Sequence, residues 1–169
     1  RYLSKNEIPE PMGSRHPSIA PFEAFKTKDN YIIIAAGNDK LFEKLCNVLN
    51  IAEIANDERF NTNSLRCENM NQLKKIFEKQ LKSKTTDEWI KEMELLKIPC
   101  GPILNIKQAV ENPQIKERNM IVKSYHKIIG EFKSAGNPIK MSTYKDTDTR
   151  GDIPDLNEHR EKIIKEFSK

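Results

Sequence analysis

Residues 12–42 read MGSRHPSIAPFEAFKTKDNYIIIAAGNDKLF, and the rest of the chain takes its place around this stretch. It opens with a small polar loop, Gly13-Ser14-Arg15-His16-Pro17. Two runs rich in aromatic and β-branched residues follow, Phe22–Thr27 and Tyr31–Ala36, separated by Lys28-Asp29-Asn30. That pattern predicts a β-hairpin, with Asp and Asn at a turn where both tolerate left-handed backbone. Gly37 closes the second arm. Asn38 or Asp39 then caps a helix whose apolar positions, Leu41, Phe42, Leu45, Val48 and Leu49, recur at helical spacing.

Working outward, residues 1–11 are polar and broken by Pro9 and Pro11, and read as an incoming linker. After the first helix, Ile51–Ala55 gives about one helical turn. Thr62 or Ser64 can cap a second helix running to about Lys82. Met70, Leu73, Ile76, Phe77 and Leu81 face inward on it, while Lys74, Lys75, Glu78 and Lys79 cover the opposite face. Thr85-Thr86-Asp87-Glu88 predicts a capping box for a third helix, with Trp89, Met93 and Leu96 along one stripe. Pro99, Gly101 and Pro102 force Lys97–Asn105 into an extended crossing segment. Short helical turns are expected at Ile106–Glu111 and Pro113–Arg118, then strands at Met120–Tyr125 and Ile128–Lys133 with Gly130 near a turn. Residues 143–155 read as loop. Leu156–Phe167 reads as an amphipathic helix, with Ile163, Ile164 and Phe167 inward and Asp155 or Asn157 as its cap.

The second half thus offers short strands and one helix with few large apolar residues. Such a segment buries too little surface to offset the entropy of ordering it, so it is expected to pack on something else.

Composition narrows the function classes. The chain has 169 residues, is 37% hydrophobic and 32% charged, and so reads as globular rather than disordered. Its net charge of +4 suits an anionic ligand but is too small and too evenly mixed for nucleic acid. The longest apolar run, Tyr31–Ala36, is far short of a membrane span. Three cysteines, Cys46, Cys67 and Cys100, lie far apart without CxxC spacing or a neighbouring His. They argue against a disulfide framework or zinc site and fit a reducing compartment. The start at Arg1 suggests a piece of a longer protein.

Taken together, several short motifs resemble one family in order and spacing along nearly the whole chain. They are Gly13 with His16-Pro17, Ser18-Ile19-Ala20-Pro21-Phe22, Phe25-Lys26-Thr27-Lys28-Asp29 and Ala36-Gly37-Asn38-Asp39. Downstream come Asp57-Glu58-Arg59-Phe60, Thr62-Asn63 with Arg66, Glu88-Trp89 and Ile98–Ile103. Asn112-Pro113-Gln114, Pro138–Ser142 and Pro154–His159 complete the series. The sequence resembles the C-terminal portion of class III CoA-transferases, the CaiB/BaiF-like family that includes formyl-CoA and succinyl-CoA:glutarate transferases and an acyl-CoA racemase. Asn30 and Asn157 stand where that family usually has Gly, and Phe22 stands where Tyr is usual.

The resemblance implies an α+β fold: a small domain at 12–97 with an antiparallel hairpin and helices, a crossing linker at 98–112, and a C-terminal arm at 113–169. The arm would complete a Rossmann-like large domain supplied by an N-terminal half of the same protein. It also implies acyl-CoA and carboxylic acid substrates, an aspartyl-CoA intermediate on an Asp lying in that half, and an interlocked homodimer. No cofactor is expected beyond the coenzyme A thioester itself, and no metal. The family setting implies a cytoplasmic protein, or a mitochondrial matrix protein if eukaryotic.

On this alignment Ser14, Arg15 and His16 fall on the mobile loop that contacts substrate, a run of glycines in formyl-CoA transferase. The chemistry is apt: loop amides can donate to an oxyanion, Arg15 can grip a carboxylate with parallel bonds, and His16 can donate a hydrogen bond or hold a proton. None of the Asp residues present matches the nucleophile. Cys100 has no sequence neighbour to lower its pKa and reads as a structural thiol. His126 and His159 lack ligand spacing. Lys26 and Lys28 could meet CoA phosphates but read first as a solvated face. Within the family an acyl-CoA racemase is the alternative to a transferase, and two readings from other classes also stay open at this point: a noncatalytic binding module and a basic RNA-associated domain. The latter is disfavoured by the absence of an aromatic platform.

Overall fold

A computed structural model describes residues 2–168, which fall into two compact units divided between Ile103 and Leu104. Helices and small sheets alternate, giving the expected α+β class.

In the first unit a four-residue helix, α1 (Tyr2–Lys5), precedes the polar entry segment. The predicted hairpin is present as β1 (Phe22–Lys26) and β2 (Tyr31–Ala35), antiparallel, with Phe22 opposite Ala35 and Lys26 opposite Tyr31. None of Lys28, Asp29 and Asn30 takes a positive φ, contrary to the expected left-handed turn. Thr27 closes the turn instead. Its amide and hydroxyl both donate to the Asn30 carbonyl at 2.9 Å. Asp29 Oδ1 accepts from the Thr86 amide at 2.9 Å, which ties the turn to a later helix and holds the Asp29 carboxyl below its ordinary pKa.

Asn38 caps α2 (Asp39–Val48) by accepting from the Leu41 amide, and a 3-10 turn follows at Ala52–Asn56. The single helix expected from Thr62 to Lys82 is two, α3 (Asn63–Glu68) and α4 (Met70–Leu81), broken at Asn69. Asn69 turns its own side chain onto the Leu65 and Arg59 carbonyls, so its amide serves the local backbone at the break. Thr85 and Glu88 form the predicted capping box of α5 (Thr86–Leu95). Trp89 and Met93 are buried there. Leu96, expected in the same stripe, is 40% exposed because it is already the C-cap and has left the helix face.

Within the expected 98–112 linker, Cys100–Pro102 forms β3, which pairs antiparallel with β2 and completes a three-stranded sheet of order β1-β2-β3. The sheet and helices enclose a core of Phe25, Ile32, Ile34, Phe42, Phe77 and Trp89 with their smaller neighbours. Trp89 Nε1 donates to the Leu81 carbonyl at 2.8 Å, so its polar handle is satisfied inside that core.

Arg66 lies within this core at 0% exposure. Its guanidinium donates to the carbonyls of Ala20, Phe60 and Gly37 and to Asp39 Oδ1, and sits 4.4 Å over the Phe42 ring. One side chain thereby fastens the end of the polar loop, the start of α2 and the approach to α3. The Ala20-Pro21 peptide at the loop's end is cis.

The second unit holds α6 (Ile106–Glu111), α7 (Pro113–Glu117), β4 (Ile121–His126), β5 (Gly130–Ala135), β6 (Thr149–Asp152) and α8 (Arg160–Phe167). The two short helices and the β4–β5 hairpin match the sequence. β6 lies where the sequence predicts loop: Thr149-Arg150-Gly151-Asp152 has no apolar alternation, and its pairing, parallel to β4, is non-local. The sheet order is β5-β4-β6. Asn157 takes φ 67°, a conformation open to Gly and Asn. The tail helix starts at Arg160, with His159 rather than Asp155 or Asn157 at its N-cap and no side-chain cap bond. Ile163, Ile164 and Phe167, expected inward, are 53%, 51% and 78% exposed, because this unit offers them no core to enter.

Candidate functional site

Ser14, Arg15 and His16 come together on the outer edge of β1, and each is bonded to one strand residue in antiparallel order. The Ala24 amide donates to Ser14 Oγ at 3.1 Å, Arg15 Nε donates to Glu23 Oε1 at 3.0 Å, and the His16 amide donates to the Phe22 carbonyl at 2.9 Å. An edge strand with free amides and carbonyls is thereby partly covered by the loop. Gly13, at φ +65°, makes the bend that brings the chain alongside.

The loop's far end is equally tied. Asn63, the first residue of α3, accepts from the Ala20 amide at 3.0 Å and donates to the Ser18 carbonyl at 2.9 Å. At Gly37 an added Cβ would lie 2.0 Å from Ile19 Cγ2, so any larger residue there would have to displace the Ile19 side chain where the loop crosses the end of β2. Beside it lies an apolar depression of about 450 Å³, whose lining includes Ile19, Phe22, Leu41 and Asn63.

The His16 ring stacks on Phe22, with centroids 5.3 Å apart and planes 9° from parallel. Its Nδ1 accepts from the Ser18 amide at 3.2 Å. An accepting Nδ1 in a neutral imidazole leaves the proton on Nε2, so His16 presents a hydrogen-bond donor. The ring is half-buried. Phe22, in a position that resembles a tyrosine site, serves here as the stacking surface for this ring.

Arg15 is anchored along one side of its guanidinium. Nε meets Glu23, and Nη2 donates to Asn71 Oδ1 at 2.9 Å. Of its five N–H groups, the two on Nη1 and one on Nη2 have no hydrogen-bond partner among the described residues. Glu23 itself is buried, 4% exposed, on the inward face of β1 with Phe25. Lys74 supplies its second cation, at 2.5 Å from Oε2, and passes 5.1 Å over the Phe25 ring. The Lys74 ammonium also donates to the Ala24 carbonyl, and the neighbouring Glu78 accepts from the Lys26 amide at 3.0 Å. Lys74 and Glu78 therefore reach back to the strand instead of covering a solvent face.

Glu23, Lys74 and Asn71 were missed in the sequence. A signal for Glu23 was present: placing Phe25 in the core of a strand puts Glu23, two residues earlier, on the same side. Nothing in the sequence links Lys74 to Glu23 or Asn71 to Arg15, because those contacts lie 51 and 56 residues apart along the chain.

Elsewhere the candidates stay apart. The side chains of Lys26 and Lys28 are exposed. Burial pushes the Cys100 thiol up, helped by the nearby Glu94 carboxylate, and burial raises Cys46 to about 12. Neither thiol is poised as a thiolate. His126 Nδ1 accepts from the Ile128 amide, and its Nε2 lies 3.8 Å from Asp155, in the second unit. Among the described residues no group of three His, Cys, Asp or Glu side chains is placed to hold a metal ion, and no helix is long and apolar enough to cross a membrane.

Known proteins resemble this chain from end to end. The pattern of CoA-transferase family III matches residues 1–160. An acetyl-CoA:oxalate CoA-transferase from Acetobacter aceti is 38% identical over 99% of this chain and 42% of its own length. The succinyl-CoA:glutarate CoA-transferase of Homo sapiens is 32% identical over 98% of this chain and 37% of its own. A crystal structure of a CAIB/BAIF family protein from Brucella suis superposes with a TM-score of 0.74 at 37% identity, covering 98% of this chain and 42% of that one. The chain thus spans about two fifths of the length of the relatives it matches. With the hairpin, its bonded loop and that match in place, the chain belongs to CoA-transferase family III.

Proposed function

We propose that this chain is the C-terminal part of an enzyme that moves coenzyme A from an acyl-CoA to a carboxylic acid. The observation that carries the reading is the match of residues 1–160 to the family, together with the transferase names of relatives 38% and 32% identical. The nucleophile is an Asp carboxylate on material N-terminal to these residues, within the part of the relatives that this chain does not span.

The exchange balances without water or redox chemistry. The Asp carboxylate attacks the thioester carbonyl, and CoA thiolate leaves to give a mixed anhydride. The thiolate then attacks the aspartyl carbonyl, releasing the donor acid and leaving an aspartyl-CoA thioester. The acceptor carboxylate repeats the two steps in reverse order and regenerates the Asp.

In this scheme the loop of Ser14, Arg15 and His16 lies against the substrate. Arg15 offers N–H groups to a carboxylate, and His16 offers Nε2–H to an oxygen that gains charge. The second unit packs on the N-terminal large domain through its exposed apolar side chains, and the complete protein forms an interlocked homodimer.

The test uses full-length protein with acetyl-CoA or succinyl-CoA as donor and oxalate, succinate or glutarate as acceptor. Transfer is expected, with CoA trapped on an Asp outside these 169 residues and located by peptide mass spectrometry. His16→Gln is expected to lower kcat without changing the unfolding midpoint. Absence of exchange with every pair, or an adduct on an Asp within this segment, removes the reading; equal turnover by His16→Gln removes His16 from it.

A further inference from the structure

A carboxylate buried between two cations is costly to keep if it serves stability alone. An apolar side chain of similar volume is often neutral or stabilising in such a place. Glu23 is such a group, 4% exposed, with Arg15 Nε at 3.0 Å on one oxygen and Lys74 Nζ at 2.5 Å on the other. Its two cations differ in where they come from. Lys74 belongs to α4, which is packed into the core through Leu73 and Phe77, and its ammonium is held on the Ala24 carbonyl as well as on Glu23. Arg15 belongs to the loop, and only side-chain contacts decide where its guanidinium points.

We propose that Glu23, seated on Lys74 and assisted by Asn71, is a positioning residue that sets the guanidinium of Arg15 to receive a carboxylate of the acceptor acid. This deepens the transferase reading and rests on it. Glu23 and Asn71 take Nε and Nη2, one edge of the planar fork. The Nη1 edge, with an Nη2 hydrogen beside it, is left for two parallel bonds to a carboxylate. The Ser14 hydroxyl on the Ala24 amide and the His16 amide on the Phe22 carbonyl tether the loop on either side of Arg15. Without the Glu23 charge, Arg15 and Lys74 become neighbouring like charges with nothing between them, and the guanidinium swings away. The fork suits a carboxylate or a phosphate oxygen pair alike, and the transferase reading selects the carboxylate of the acceptor acid.

The experiment is steady-state kinetics on the full-length enzyme, with acetyl-CoA as donor and whichever of oxalate, succinate and glutarate wild type uses best. Arg15→Gln is expected to raise the acceptor KM by about 10–100-fold, the worth of a hydrogen-bonded charge pair, with the acetyl-CoA KM within about twofold of wild type. Glu23→Gln is expected to raise the acceptor KM by about tenfold while kcat changes less, and to add almost nothing in the Arg15→Gln background. Asn71→Ala, an exposed change that leaves folding intact, is expected to give a smaller rise in the same parameter. It carries the test if Glu23→Gln fails to fold.

The outcomes separate the two claims. If wild type transfers CoA but Arg15→Gln leaves the acceptor KM unchanged, the loop reading falls and the positioning role with it. If Arg15→Gln raises it while Glu23→Gln and Asn71→Ala do not, the positioning role alone is overturned. Full additivity of Glu23→Gln on Arg15→Gln overturns it as well, because Glu23 then acts through something other than Arg15.

Discussion

Two regions of this chain devote a similar share of their residues to secondary structure and differ in what those elements enclose. Residues 1–103 hold eighteen of the nineteen buried apolar residues among the described residues. Residues 104–169 hold one, Val122, and leave Ile128, Ile129, Leu156 and Phe167 at 79%, 68%, 96% and 78% exposure. Hydrogen bonding does not distinguish them, since both have laddered sheets and capped helices. What differs is burial, and burial supplies most of the free energy that offsets chain entropy. A backbone pattern can thus be complete in a segment that has no interior of its own.

The sharpest way to break that contrast is to cut between the regions. Residues 1–103 alone are expected to unfold in one cooperative transition, followed by Trp89 fluorescence, because Trp89 is 1% exposed within their core. Residues 104–169 alone are expected to show no cooperative transition and no slow amide exchange. At about 1–2 kcal/mol of backbone entropy per residue, a segment burying one valine has no means to stay ordered. A sharp thermal transition from the second piece would end the contrast.

Single substitutions sharpen it. Phe77→Ala, at 0% exposure, is expected to cost about 3–5 kcal/mol in urea unfolding of the 1–103 piece. Arg66→Met is expected to cost about 3 kcal/mol or more, since it strands the buried carbonyls of Ala20 and Phe60. Phe167→Ala is expected to change the stability of this chain by less than about 0.5 kcal/mol. In the full-length protein the same change is expected to cost several times more, if the proposed large domain covers α8. Equal small effects in both settings would show that α8 stays uncovered.

How much of this was legible beforehand follows the same division. The hairpin, the Asn38 cap and the Thr85–Glu88 box are local, and their residue types state them outright. The break at Asn69 and the strand at Thr149–Asp152 were not readable. One depends on where an Asn side chain turns, the other on a parallel partner more than twenty residues away. At the candidate site the loop residues were identified through resemblance, whereas their supports were hidden. Glu23 was visible by strand alternation beside Phe25, and Lys74 and Asn71 only by tertiary packing. The tail helix was expected to bury Ile163 and Phe167. Its periodicity was right, but periodicity says which face is apolar and not what covers it.

The smallest effect concerns one exposed carboxylate in each region. Asp57 is gripped by Arg59 through Nε at 3.0 Å and Nη2 at 2.7 Å, and these bonds lower its carboxyl from 3.8 to about 2. Asp146, in the second region, is lowered to about 2 by Lys140 and Arg150. A folded-state pKa below the unfolded value means stability that is complete above 3.8 and lost as pH falls through about 2. Asp57→Asn is therefore expected to lower the midpoint of the 1–103 piece slightly near neutral pH, with the difference from wild type vanishing as acid is added through that window. Asp146→Asn is expected to leave that midpoint untouched in the whole chain and to loosen only the 140–150 segment, read by amide exchange. Both clasps are exposed, so each effect stays small and weakens with salt. A pH-independent Asp57→Asn difference would mean that the side chain matters for shape at the 57–60 turn rather than for its charge.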